Sequence, residues 1–376
     1  MFQRERRHAL PNQPPAMDQI LEFSSLKIRL EEHNLTVYPD FNFTGADEVL
    51  TEFQHVIFGD FTFSDVILLS LYAPVFLVAL FGNLLVLVTL VRQRKTLCKP
   101  KNLYMLNLAL ADLLVTLLCM PATVGMLINR LWLYGEFLCK FMPFLQGVAV
   151  TSSIFTLTAM SIDRYISIQH PMTSLTGMTS RQALAIVFMT WIVSAVFISP
   201  LLYVRQVDTP SLPDLSYMTF CIEDWPQDYD RHIFGLVLLV VIFILPSLTL
   251  AICYVHIGRT LCSSQHYRQS SDSSAQRIGS RKRAARMLLI LVLVFIVCWL
   301  PNNITSLCID LLESYQPVDV LPFTLCLGHA HSAINPVMYW VMNRRFRHNV
   351  TSLLRSIKQS NHVFCTTATH ASPRYV

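Results

Sequence analysis

The chain has 376 residues, 53% hydrophobic and only 14% charged, with a formal net charge of +5. Soluble domains carry about a quarter charged residues, so this is the composition of a membrane protein, and without a dense Lys/Arg block it offers no footprint for a nucleic acid. Ten cysteines fall mostly inside apolar runs, none with zinc-site spacing, and no nucleophile-and-base pair or metal cluster points to an enzyme.

Residues 1–65 read as a polar, locally ordered or disordered tail. Its start, MFQRERRHALPNQPP, is basic but is followed by neither an apolar core nor a cleavage site, so no signal peptide is expected. Two N-glycosylation sequons, at Asn34 and Asn42, suit an extracellular tail. Seven apolar runs of spanning length follow: Val66 to Val91, Leu103 to Ile128, Cys139 to Pro171, Ala183 to Val204, Ile233 to Gly258, Ala284 to Cys308 and Leu321 to Met342.

Lys and Arg collect in alternate connections: Arg92 to Lys101, Arg259 to Arg286, and the tail from Arg344. The other connections are acidic, with Asp208, Asp214, Glu223, Asp224, Asp228 and Asp230, then Asp310, Glu313 and Asp319. This bias puts the N-terminus outside and the C-terminus in the cytoplasm. Ser263 to Gln276, SSQHYRQSSDSSAQ, reads as a flexible polar loop. Residues 343–357 read as an amphipathic helix on the bilayer surface, with Phe346, Val350, Leu353 and Leu354 on one side. Residues 358–376 form the tail, where Cys365 is a candidate for palmitoylation.

The third run carries an unusual polar seam. Cys139, Gln146, Ser153 and Arg164 are spaced by seven, seven and eleven residues, close to whole helical turns, so all four share one face. Cys139 and Arg164 lie roughly 37 Å apart along a helix, more than the ~30 Å hydrocarbon core. Groups of this kind in hydrocarbon are expensive and face a bundle interior. Asp112 is the one acid well inside a span and a functional candidate by the same reasoning.

Each run also bears a landmark: Gly82-Asn83; Asn107 to Asp112; Asp163-Arg164-Tyr165; Trp191; Pro246 and Tyr254; Phe295 with Cys298-Trp299-Leu300-Pro301; and Asn335-Pro336-Val337-Met338-Tyr339. In this order, one set per span, they make the chain resemble the rhodopsin-like (class A) G-protein-coupled receptors over about residues 66 to 357. The resemblance implies an all-α membrane protein, a seven-transmembrane helix bundle (66–342) with a short amphipathic C-terminal helix, in the plasma membrane and immersed in the lipid bilayer. It implies a disulfide between Cys139 and Cys221, and leaves open whether Cys308 and Cys326 form a second. It makes Asp163, Arg164, Tyr165, Tyr254, Asn335, Pro336 and Tyr339 an activation switch for a heterotrimeric G protein, with Ile154, Pro246 and Phe295 as the packing switch above it. Receptor kinases and arrestin would act on Ser352, Ser356, Ser360, Thr366, Thr367 and Thr369. Asp112, Ser153, Asn335 and Asn83 match an allosteric sodium and water cluster, although His331 stands where the family has a smaller polar residue.

The family's amine receptors place an Asp where Gln146 stands, and its opsins a Lys where His329 stands, so neither an amine nor retinal is expected. Gln146 is similar to the glutamine of neuropeptide Y, neuropeptide FF and orexin receptors. Thr123, Gln146 and Asp310 would line the outer mouth above Trp299, with Glu223 and Asp224 among the loop acids drawing in a basic peptide. An amidated C-terminus suits Gln and Thr, and a preceding Arg suits Asp310. Leu325 departs from the His common in those receptors. A lipid or other non-peptide ligand, or constitutive activity without one, is the alternative.

Overall fold

The computed structural model describes residues 62–92, 97–169, 178–209, 219–267, 272–312 and 320–355. The Asn34 and Asn42 sequons, Cys365 and the Ser/Thr sites beyond Ser352 lie outside them. Among the described residues every apolar run lies on helix, and most helices overrun the apolar stretch. They are α1 Phe63–Arg92, α2 Pro100–Asn129, α3 Gly135–Gln169 and α4 Ser180–Ile198, the last followed by one more turn, Pro200–Val204. A short hairpin of β1 Arg205–Asp208 and β2 Phe220–Glu223 follows. Next come α5, continuous through Asp228–Leu238, Leu239–Ile244 and Leu245–Tyr267, then α6 Asp272–Leu312, α7 Leu321–Met342 and α8, residues 344–355.

Three details differ from the sequence reading. The expected loop from Ser263 to Gln276 is mostly helical, because α5 runs to Tyr267 and α6 begins at Asp272. Two apolar helices project past the hydrocarbon and carry the polar flanks with them. On α8, Phe346, Val350 and Leu353 are buried but Leu354 is exposed, since one step along a helix turns a side chain by about 100°. The β1–β2 hairpin was not anticipated. Its four-residue strands are too short to register as an alternating pattern.

Six helices are long and apolar enough to cross a membrane. The other long helix, α7, has 22 residues but carries His329, His331, Ser332 and Asn335 at its centre. All four are buried, so its polarity faces the bundle and leaves its outer side apolar. The same division holds elsewhere. Phe188, Val196, Leu248 and Ile252 are exposed on α4 and α5, while Asn83, Asn107, Asp112 and Ser153 are buried. In hydrocarbon an outward apolar side chain costs nothing, whereas an outward polar one does.

The polar groups then tie helices together. Asn107 Nδ2 donates to Thr156 Oγ1 at 2.9 Å and Trp191 Nε1 donates to Asn107 Oδ1 at 2.7 Å, joining α2, α3 and α4. Asn83 Nδ2 donates to the Ser332 carbonyl at 2.8 Å, joining α1 to α7. α3 packs against α2, α4, α5, α6 and β1, the central rod of the bundle.

Prolines shape the helices locally. Two π-helical stretches, Val115–Cys119 in α2 and Leu239–Ile244 in α5, each lie just before a proline, Pro121 and Pro246. Proline supplies no N–H to its own turn. The residue before it instead reaches one step further back: Met120 N–H to Val115 O and Leu245 N–H to Val240 O. That is the π spacing, a common response to a broken ladder.

Gly82 marks where α1 meets α7. A Cβ there would lie 2.6 Å from Pro336 Cγ, whereas one at Gly258 would meet nothing within 4 Å. Gly82→Ala is therefore expected to cost about 1–3 kcal/mol by overpacking and to lower the unfolding temperature of detergent-purified protein. Gly258→Ala, measured alongside, should leave it unchanged or raise it.

Candidate functional site

At one end of the bundle Cys139 and Cys221 are disulfide-bonded, with Cα atoms 5.6 Å apart. Cys308 and Cys326 are both free thiols. The bond pins β2 to the first turns of α3, and β2 pairs antiparallel with β1, Val207 opposite Cys221. Trp132 N–H donates to the Thr219 carbonyl at 2.8 Å, and Thr219 Oγ1 donates back to the Trp132 carbonyl. The hairpin is thus anchored on both sides.

Glu223 proves to be the centre of this element. Its carboxylate takes Arg205 at 2.5 Å, Arg231 at 3.7 Å and the Trp225 indole N–H at 3.0 Å. Asp224 is exposed and accepts from Gln206 Nε2 at 2.7 Å. Of the three acids expected to meet a ligand, Glu223 is already engaged by three groups of its own chain. Asp310 lies on α6, but its side chain is outside the described residues.

Beneath the hairpin, Gln146 of α3, His329 of α7 and Tyr72 of α1 form a line. Gln146 Oε1 is 3.2 Å from His329 Nε2, and the Tyr72 hydroxyl is 3.1 Å from His329 Nδ1. The imidazole stands edge-on to Trp299, ring centres 6.1 Å apart. A Cβ on Gly328 would sit 2.9 Å from the Trp299 ring, so a glycine lets α7 approach it this closely. Thr123 Oγ1 donates to its own helix at Cys119 O, 3.0 Å. Sequence reasoning placed Gln146 and Trp299 but missed Tyr72, which stands in an apolar run with nothing local to mark it.

Lower in the bundle, Asn335 Nδ2 donates to Asp112 Oδ2 at 2.8 Å, and His331 Nδ1 lies 3.9 Å from Asp112 Oδ1. The His331 ring is edge-on to Phe295, 5.3 Å away, and Phe295 in turn packs on Phe243. Ser153 is buried but donates to Ala149 O of its own helix at 2.9 Å. Sodium takes hard oxygen donors, as other hard cations do. The region offers the Asp112 carboxylate, the Ser153 hydroxyl and the buried amide oxygens of Asn83 and Asn335, which have no partner among the described residues. The donor chemistry fits, and His331 Nδ1 stands 3.9 Å from the same carboxylate.

At the opposite end of α3, Arg164 pairs with Asp163 at 3.8 Å. A cleft there is lined by Lys101, Met105, Met160, Arg164, Met287 and Leu288, drawn from α2, α3 and α6. Tyr254 of α5 lies 3.3 Å from Ser161 Oγ, whose own proton goes to Leu157 O. Tyr165 stands edge-on to His256. Tyr339 is buried, its ring edge-on to Phe346 of α8. Ile154, Phe295 and Pro246 are buried between the two ends.

Residues 82–339 match the family model described as 7 transmembrane receptor (rhodopsin family). The chain belongs to the rhodopsin family of seven-transmembrane receptors. It is 33% identical over 295 residues to a QRFP-like peptide receptor of Branchiostoma floridae, covering 76% of this chain and 77% of that one. It is 32% identical to galanin receptor 2a of Danio rerio (78% and 79% covered) and 29% identical to the pyroglutamylated RF-amide peptide receptor of Rattus norvegicus (74% and 68%). Membership makes this chain a receptor, not an enzyme, and makes α7 the seventh span. The matched region holds Gln146 and His329, the Asp112 cluster and the Arg164 cleft together.

The receptor's hairpin depends on charge at Glu223 more than at Asp224. Glu223→Gln should lower the unfolding temperature and speed hydrogen exchange in residues 205–208 and 220–223, because it removes the carboxylate charge that Arg205 pairs with across the hairpin. Asp224→Asn, at an exposed position, should change neither measurably.

Proposed function

We propose that this receptor binds an extracellular peptide between the hairpin and Trp299 and answers by activating a heterotrimeric G protein at the Arg164 cleft. The observation that carries the peptide reading is that the relatives include a QRFP-like peptide receptor and a pyroglutamylated RF-amide peptide receptor. The site supports it. A neutral Gln146 rather than an acid stands on the inward face of α3. Lys/Arg-rich connections at the Arg164 end orient that end to the cytoplasm of the plasma membrane, and the hairpin end to the outside.

The mechanism follows from how the two ends share α3. A peptide that presses on Trp299 bears on α6 one turn or less to the cytoplasmic side of Pro301, and the same helix carries Met287 and Leu288 of the Arg164 cleft. Phe295, wedged between Phe243 and His331, must repack if α6 turns. An outward swing of α6 widens the cleft, releases Arg164 from Asp163 and frees Tyr254 and Tyr339 to support it. By linkage, ligand and G protein then strengthen each other's binding. Kinases and arrestin would follow at the exposed Ser352 and the tail.

An Arg-aromatic amide is the C-terminus the mouth suits best, its amide near Gln146 and Thr123 and its guanidinium near Asp310. A synthetic peptide ending in Arg-Phe-amide should activate G protein in cells, with its free-acid form clearly weaker. Gln146→Ala and Asp310→Ala should each cost about tenfold or more in potency. Equal action of amide and acid, with both variants unchanged, would remove the amidated-peptide reading and favour a non-peptide ligand.

Asp112, Ser153 and Asn335 are the proposed holders of a sodium ion, which would supply a positive charge to the buried carboxylate. His331 competes with it for the Asp112 carboxylate. Replacing sodium by N-methylglucamine should therefore change agonist affinity little in the wild type and more in His331→Asn. Equal sodium effects in both would show that the imidazole does not contend with the ion.

A further inference from the structure

The line Tyr72–His329–Gln146 has a direction, and the direction decides what kind of ligand atom Gln146 can receive. Tyr72 is buried to 2% exposure and its hydroxyl meets a ring nitrogen, Nδ1 of the fully buried His329. No other acceptor for that hydroxyl proton stands among the described residues. A buried donor left unpaired is costly, so the proton goes to Nδ1, which must be bare. A neutral imidazole carries one N–H, and it is then on Nε2. Nε2–H donates to Gln146 Oε1 at 3.2 Å. The amide oxygen of Gln146 is thereby consumed, and its NH2 group faces away from His329. Among the described residues nothing accepts from that NH2.

The opposite tautomer fails on the same count. With Nδ1 protonated, the Tyr72 oxygen becomes the acceptor and its own proton has no destination. A doubly protonated ring strands it equally, and sets a charge beside Tyr72, Trp299 and a neutral amide, with no carboxylate among its hydrogen-bond partners. The Trp299 ring, edge-on to the imidazole, limits its rotation.

We propose that Tyr72, acting through His329, holds the Gln146 carboxamide with its NH2 away from His329 and open to a ligand, so that the receptor selects ligands placing an amide carbonyl oxygen there. Tyr72 is a positioning residue and need not touch the ligand. The ligand half of this inference rests on the peptide reading above; the tautomer half does not.

Two measurements test it. The first uses purified full-length receptor labelled with ¹⁵N-histidine, with His329→Gln identifying the His329 signals by difference. A protonated Nε2 and a bare Nδ1 are expected in the wild type. In Tyr72→Phe, which keeps the ring and its packing, both tautomers should coexist. A wild-type ring protonated at Nδ1, or a tautomer unmoved by Tyr72→Phe, overturns the relay whatever the ligand is.

The second compares three synthetic peptides identical except at the C-terminus: Arg-Phe-amide, Arg-Phe free acid, and Arg-phenethylamide, which lacks the terminal carbonyl. On the wild type, losing the carbonyl should cost about tenfold or more relative to the amide. On Tyr72→Phe, matched for surface expression, the gap should close to within about threefold. An unchanged gap overturns the selectivity claim. If none of the three acts on the wild type, the peptide reading falls, while the histidine spectra still decide whether Tyr72 orients Gln146.

Discussion

Hydrocarbon offers no partner to a polar group, and the whole receptor is arranged around that constraint. Each spanning helix satisfies its own backbone. The side chains that remain polar must find one another, and they do so along the axis of the bundle. Asn107 joins α2 to α3 and α4, Asn83 joins α1 to α7, and Asp112 joins α2 to α7. The apolar exterior of α4 and α5 is the other side of the same division.

This constraint also explains why sensing and signalling share one scaffold. α3 touches most of the bundle and holds Cys139 at one end, Gln146 and Ser153 along its length and Arg164 at the other. Between the ends lie groups whose hydrogen bonding is incomplete: the Trp299 indole N–H, Asn335 Oδ1, His331 Nε2 and the Tyr339 hydroxyl are buried with no partner among the described residues. Buried polar atoms of this kind are uncommon in a settled structure. They lie between Gln146 and the Arg164 cleft, on the helices that connect the two ends. A bundle fully satisfied in one arrangement would have less reason to move.

The prolines show the same economy on the backbone. In α2 and α5 the missing donor is absorbed by a π turn just upstream, which rotates everything beyond it by a fraction of a turn. Side chains on opposite sides of such a turn no longer obey a simple 3.6-residue spacing. Pro121 lies between Asp112 and Thr123, so their separation of eleven residues is a poor guide to a shared face on α2. It is a better guide on α3, where the seam from Cys139 to Arg164 crosses no π turn.

The order of spans and the central place of the third helix could be read from the chain, and the family resemblance supplied the pairing of Cys139 with Cys221. Apolar length, charge bias and helical period are local properties, and hydrocarbon enforces them helix by helix. Which polar groups meet was legible only where the family resemblance supplied it, as for Asp112 and Asn335. Tyr72 and His329 are 257 positions apart, and Gln146 and His329 183; no period links residues on different helices. Glu223 likewise looked like an acid available to a ligand until the hairpin brought Arg205 and Arg231 to it. Sequence determined which groups the bundle must hide. Tertiary packing decided which of them satisfy each other and which do not, because that depends on distances between helices that only the closed bundle sets.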